Sequence, residues 1–189
     1  MEKRGLVAAL KEASVTQASR WYHTDEMRFG LWGQVRRRWG KRGMKIIQPM
    51  QIVFAWRYLV LAVDVLRCEL VWDWATRMNQ NPLMPIFARW DPEAVAWDGA
   101  SSHRGKAMGT LGFARIFLPS YSPELNPPER IFEEIRQEIE GIVYPSLLAK
   151  QHAIDQFLRR LRADKARLRR LIGWDWIMQA YDQLPDEYI

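Results

Sequence analysis

The sequence predicts an α/β fold, a mixed sheet of about five strands flanked by helices. Three observations carry that expectation. KIIQPMQIVFAWRYLVLAVDVLRCELVWDWA at 45–75 is rich in Ile, Val, Trp and Tyr and reads as two or three adjacent, largely buried antiparallel strands. After it, short apolar runs alternate with stretches of helical spacing. No Gly/Ser linker interrupts the 189 residues, 48% of them apolar, so one domain spanning 1–189 is expected.

The elements follow in order. VAALKEA opens a short helix expected over 6–19. In SRWYHTDEM, Trp21, His23, Asp25 and Met27 alternate with Tyr22, Thr24 and Glu26, the period of a strand. The glycine-rich segment 30–43 reads as a turn or hairpin leading to the strand run. Leu83, Ile86, Phe87 and Trp90 then recur at helical spacing, which predicts a crossover helix within 79–90. AVAWDG at 94–99 is a short strand that stops at Asp98, followed by a polar loop and a short helix near 103–111. ARIFLPS at 114–120 is another strand. A helix over 128–141 ends at Gly141. Leu158, Leu161, Leu168 and Leu171 mark a C-terminal helical packing stripe, and WDWIMQAYDQL a last short helix.

Composition narrows the function. One cysteine, Cys68, excludes an internal disulfide, and with only three histidines no Cys-rich zinc site is possible. A reducing, cytoplasmic location fits. The longest apolar run, 52–66, is broken by Arg57 and Asp64 and is too short to span a bilayer, so no membrane partner is expected. The net charge of +6 and pI of about 9.7 suit an anionic partner. Basic residues cluster at 36–45 (Arg36, Arg37, Arg38, Lys41, Arg42, Lys45) and at 159–170. Charge runs are usually solvated faces, but the glycines around Trp39 also suit a turn that tracks phosphates.

Two aspartates stand where ligands gather in α/β sheets. Asp98 ends a strand, and Asp25 lies in or at the end of the first strand. Either alone is better explained by capping a turn. The stretch LPSYSPELNPPERIFEE at 118–134 changes the odds. Pro119 and Pro123 stiffen the approach, Asn126 is a natural N-cap, and Pro127 and Pro128 suit a first helical turn. Glu129 then falls where the helix dipole favours a carboxylate, at the edge of the stripe Ile131, Phe132, Ile135, Ile139. Glu134 points further away, into solvent. Three carboxylates at one rim repel unless cations separate them, and oxygen ligands suit Mg²⁺ or Mn²⁺. Two such ions, about 3.5–4 Å apart, activate a water or 3′-hydroxyl for phosphodiester chemistry.

TDEMRFG (24–30), WDGASSHRG (97–105) and LPSYSPELNPPERIFEEIR (118–136) together resemble the DDE transposases of bacterial insertion sequences, closest to the insertion-sequence-630 family related to mariner transposons. The spacing of 31 positions between Asp98 and Glu129 matches that pattern. The resemblance implies a ribonuclease H-like fold, with Asp25, Asp98 and Glu129 holding two Mg²⁺ or Mn²⁺ ions. It implies hydrolysis at transposon ends and transfer of the 3′ ends into target DNA, normally by a homodimer. His103 matches a histidine usual after the second aspartate and is a candidate DNA contact, site-orienting residue or structural residue. Tyr121, Ser122 and Asn126 match residues that shape the helix entry. Such relatives carry N-terminal helix-turn-helix modules. About 20 residues precede the first motif here, so the expectation is a catalytic half whose end-reading module is absent or a separate subunit. Two other readings stay open: an inactive DNA-binding remnant, and another ribonuclease H-like nuclease.

Overall fold

The structure is a computed structural model that describes residues 3–33, 39–99, 103, 105–119 and 125–186. Arg36, Arg37 and Arg38 of the first basic cluster, and Tyr121, Ser122 and Pro123 of the proline-rich stretch, lie outside the described residues. Five strands form one mixed sheet in the order β3-β2-β1-β4-β5: β1 Trp21–Gly30, β2 Trp56–Asp64, β3 Glu69–Ala75, β4 Ala94–Trp97 and β5 Ala114–Phe117. β1 pairs antiparallel with β2, and β2 with β3, whereas β1–β4 and β4–β5 are parallel. The fold is ribonuclease H-like.

Strand alternation divides the core in two. On one face Met27, Leu59, Leu61, Ala96 and Ile116 pack with Leu6 and Leu10 of α1 (Lys3–Glu12) and with the C-terminal helices. Those helices are α3 (Pro128–Ile139), α4 (Leu147–Ala163), α5 (Lys165–Ile172) and α6 (Asp175–Tyr181). On the other face Val60, Val95 and Trp97 meet Leu83, Ile86 and Phe87 of α2 (Gln80–Trp90). Leu158, Leu161 and Leu168 are buried in the first core, so their stripe is packing, as expected. Among the described residues no helix is long and apolar enough to cross a membrane.

Several expectations need correction. The first helix stops at Glu12 because Ser14 adopts a left-handed conformation (φ 54°), and Thr16 and Ser19 then close a reciprocal hydrogen-bonded turn. β1 runs to Gly30, whose missing side chain admits the Trp56 ring of β2. Residues 45–55 form no strand, so the long apolar stretch holds two strands, within the two or three expected. Pro49 has no N–H to donate, and β2, the next strand, is already paired on both sides. This segment is tied back by Gly33 N–H to Gln51 O and Leu31 N–H to Ala55 O, and leaves Ile47 and Phe54 80% and 74% exposed. The short helix after β4 is a single 3₁₀ stretch, Lys106–Thr110.

Two indoles pin α4 to the sheet. Asp155 accepts hydrogen bonds from Trp72 Nε1 (2.8 Å) and Trp74 Nε1 (3.0 Å), which share one face of β3. Asp155→Ala orphans both part-buried donors and is expected to cost about 2–4 kcal/mol. Urea denaturation checks this; a loss below about 0.5 kcal/mol would mean the bonds contribute nothing net.

Candidate active site

Asp25 sits mid-strand in β1, opposite Leu61 of β2. On its other side the parallel register runs Trp21↔Ala94, Tyr22↔Val95, His23↔Ala96. Continued two residues further, that register would bring Asp25 level with Asp98. The parallel pairing thus directs both aspartates toward the same end of the sheet, where β4 ends and β1 continues.

Asn126 brings the third. Its Nδ2 donates to Asp25 Oδ2 (3.0 Å) and to Thr24 O (3.2 Å), and the residue is 3% exposed. This corrects its expected role. The N-cap of α3 is Pro127, without a side-chain capping bond, and the Asn126 side chain joins the helix entry to β1 instead. The backbone still initiates the helix, since Glu129 N–H donates to Asn126 O (3.1 Å). With Pro128 at the first helical position, Glu129 is held in the first turn, as expected, with Arg136 Nη2 3.9 Å from its Oε2. Glu134 is not simply solvated; it pairs with Arg167 of α5.

The electrostatics follow from this crowding. Burial, then the charge of Glu26, pushes the Asp25 carboxyl up to about 7; the Glu26 N–H on Asp25 Oδ1 (2.7 Å) opposes this, and Glu129 and Asp98 add to the rise. Asp25 therefore senses both other carboxylates. Beneath it, His23 is fully buried with both ring nitrogens unpartnered, and burial lowers its pKa to about 3.

His103 is fully buried behind the rim. Its Nδ1 lies 2.8 Å from Asp98 Oδ1 and 3.2 Å from Asp98 O, and its Nε2 lies 3.0 and 3.1 Å from the two oxygens of Glu26. The ring stacks on Trp97, centroids 4.4 Å apart and planes 4° from parallel. Burial alone would lower its pKa, but the bonds to Asp98 and Glu26 outweigh burial and raise it to about 10. His103 is thus an imidazolium held between two carboxylates. Sequence reasoning singled out His103 but missed Glu26, because only the sheet register shows that the neighbour of Asp25 faces His103.

Lys41 and Arg42 are exposed on a turn closed by Met44 N–H to Lys41 O (3.0 Å), and no hydrogen bond or ion pair joins them to the carboxylates. In the second basic cluster Arg160 pairs with Glu138, Lys165 donates to Cys68 O and Arg162 lies over Trp72, so part of that charge serves packing.

Among the described residues no group of three or more His, Cys, Asp or Glu side chains is arranged to hold a metal ion. The donor chemistry nevertheless fits a hard divalent cation: carboxylate oxygens, one of them on a buried group pushed up by burial and by its acidic neighbours.

No family model and no curated protein matches the chain. Solved structures do match. The chain is similar to the Mos1 transposase paired-end complex with left transposon end, at 16% identity and a TM-score of 0.65, covering 99% of this chain and 61% of that one. A Mos1 mariner paired-end complex with Mn gives 16% identity and a TM-score of 0.66, covering 96% and 58%. The Mos1 strand transfer complex gives 14% and 0.59, covering 100% and 63%. The chain spans about three fifths of the length of these structures, and the likeness establishes the shared ribonuclease H-like fold.

Proposed function

We propose that this chain is the catalytic domain of a metal-dependent DDE-type transposase, with Asp25, Asp98 and Glu129 as its acidic triad. The observation that supports the reading is that Asp25 feels the charges of both Glu129 and Asp98. The β1–β4 register runs toward Asp25 and Asp98, and Asn126 bonds Asp25 three residues before Glu129. The likeness to Mos1 complexes with transposon ends supports DNA as substrate.

Asp25, Asp98 and Glu129 would hold two Mg²⁺ or Mn²⁺ ions, which when bound supply Lewis acidity at the phosphate and a more acidic water or hydroxyl. The chain's own contribution is placement. Asn126 and the Glu26 N–H hold both Asp25 oxygens, His103 holds Asp98, and the proline-braced turn limits where Glu129 can move. In the first reaction a water oxygen attacks phosphorus, the P–O3′ bond breaks, and the 3′ oxygen leaves with a proton. In the second, that 3′-hydroxyl attacks a target phosphodiester and displaces its 3′ oxygen. The exposed basic residues Lys41 and Arg42, with Arg36–Arg38, supply sequence-independent phosphate contacts in this reading. Action as a homodimer, a separate helix-turn-helix subunit and membership of the insertion-sequence-630 family belong to the same proposal and rest on the motifs.

The absence of a ready three-ligand cluster among the described residues favours a second reading, a folded DNA-binding remnant without catalysis. Incubation with pre-nicked transposon-end DNA and Mn²⁺ separates the two. The catalytic reading expects metal-dependent cleavage or joining; salt-sensitive binding with no product, in Mg²⁺ or Mn²⁺, supports the remnant.

A further inference from the structure

The proposed triad leaves Glu26 unused, although it is enclosed beside the rim. Its side chain is only 7% exposed, and strand alternation turns it to the face opposite Asp25. It therefore does not approach the rim as Asp25 does. What it reaches is His103: both carboxylate oxygens lie within 3.1 Å of Nε2. The same ring commits its Nδ1 to Asp98, to the carboxylate oxygen and to the backbone carbonyl together. Trp97, fully buried and one residue before Asp98, fixes the plane of the ring by stacking. Asp98 itself is 57% exposed on its side chain, at the end of a four-residue strand. The bond from Nδ1 to Oδ1 selects one rotamer of Asp98.

We propose that Glu26 is a positioning residue which, acting through His103, fixes the rotamer of Asp98 and so sets the affinity of the rim for a divalent cation. The inference rests on the triad reading and adds to it the means by which its most exposed member is aimed. Partners that orient a ligating group typically alter metal affinity about 10–100-fold when removed.

The test reads Mn²⁺ binding directly, by the electron paramagnetic resonance signal of free Mn²⁺, with no DNA present. Wild type, Glu26→Gln, Asp98→Asn and the double variant are compared, with Asp182→Asn as a control for loss of one surface charge. Glu26→Gln is expected to weaken Mn²⁺ binding about tenfold, and to have no further effect in the Asp98→Asn background. A merely structural role would lower the melting temperature in both backgrounds without that dependence on Asp98. Glu26→Asp, which keeps the charge but falls short of Nε2, is expected to behave like Glu26→Gln and serves if the amide variant fails to fold. Wild-type affinity in both Glu26 variants would overturn the positioning role while leaving the triad standing. Equal Mn²⁺ binding by wild type and Asp98→Asn would instead overturn the triad and the positioning role with it.

Discussion

Asp98→Asn is expected to lower metal-dependent cleavage and joining of DNA by at least about 10³-fold, roughly 4 kcal/mol of transition-state stabilisation. The size follows from what the substitution removes. The amide keeps an oxygen for the His103 Nδ1–H bond, and Asp98 is more than half exposed, so the fold survives the change. The charge goes, and with it the ability to hold a divalent cation at the end of β4. Global stability should fall by about 1–3 kcal/mol, because the buried His103 ring keeps Glu26 but loses one of its two charged partners. Product formation on pre-nicked ends, measured beside circular dichroism, separates a chemical effect from unfolding. A variant that keeps full metal-dependent activity would remove Asp98 from the active site.

Asp25→Asn is expected to do something less usual and make the metal-free protein more stable. Asp25 ionises near 3.8 when unfolded but near 7 when folded. Its folded pKa is raised, so its stability contribution is full below pH 3.8 and is lost as pH rises to about 7. Three units correspond to roughly 4 kcal/mol at most. The amide cannot ionise and escapes that loss. It does place an NH₂ where one of two donors now points. Asn126 can turn its unpartnered Oδ1 toward it only by giving up the bond to Thr24 O, which costs about 1 kcal/mol. The net expectation at pH 8 in chelator is a gain of roughly 3 kcal/mol, which raises the melting temperature by roughly 6–12 °C. At pH 4 the gain should vanish. His23 works in the other sense: with a pKa lowered to about 3, its contribution is present above 6.5 and lost as pH falls toward 3. It is common to both chains, so their difference isolates Asp25. A variant equally or less stable than wild type at pH 8 would mean that burial of the Asp25 charge costs little.

The two predictions together describe a site that sacrifices stability for a carboxylate in a poorly solvated place. That is legible in the sequence only in part. Alternation around Trp21–Met27 marked β1, helical spacing marked α2 and α3, and prolines before Glu129 marked the helix entry, because each signal is local. Asp98 was readable as a strand end for the same reason. The Asn126 role was not local. An asparagine before a helix reads as a cap until the packing of α3 on β1 gives its amide a better partner in Asp25. Glu26 carries no local signal beyond its place in the alternation of β1, and only the meeting of β1 with the loop after β4 buries it against His103. The segment 45–55 has the composition of a strand but is tied to Leu31 and Gly33 by single backbone bonds rather than by a ladder, which composition cannot reveal.

The most direct test of the central claim is anomalous diffraction from a crystal of the protein soaked in Mn²⁺. The account predicts anomalous density coordinated by Asp25, Asp98 and Glu129. Side chains that stay apart, or density only elsewhere on the surface, would contradict it.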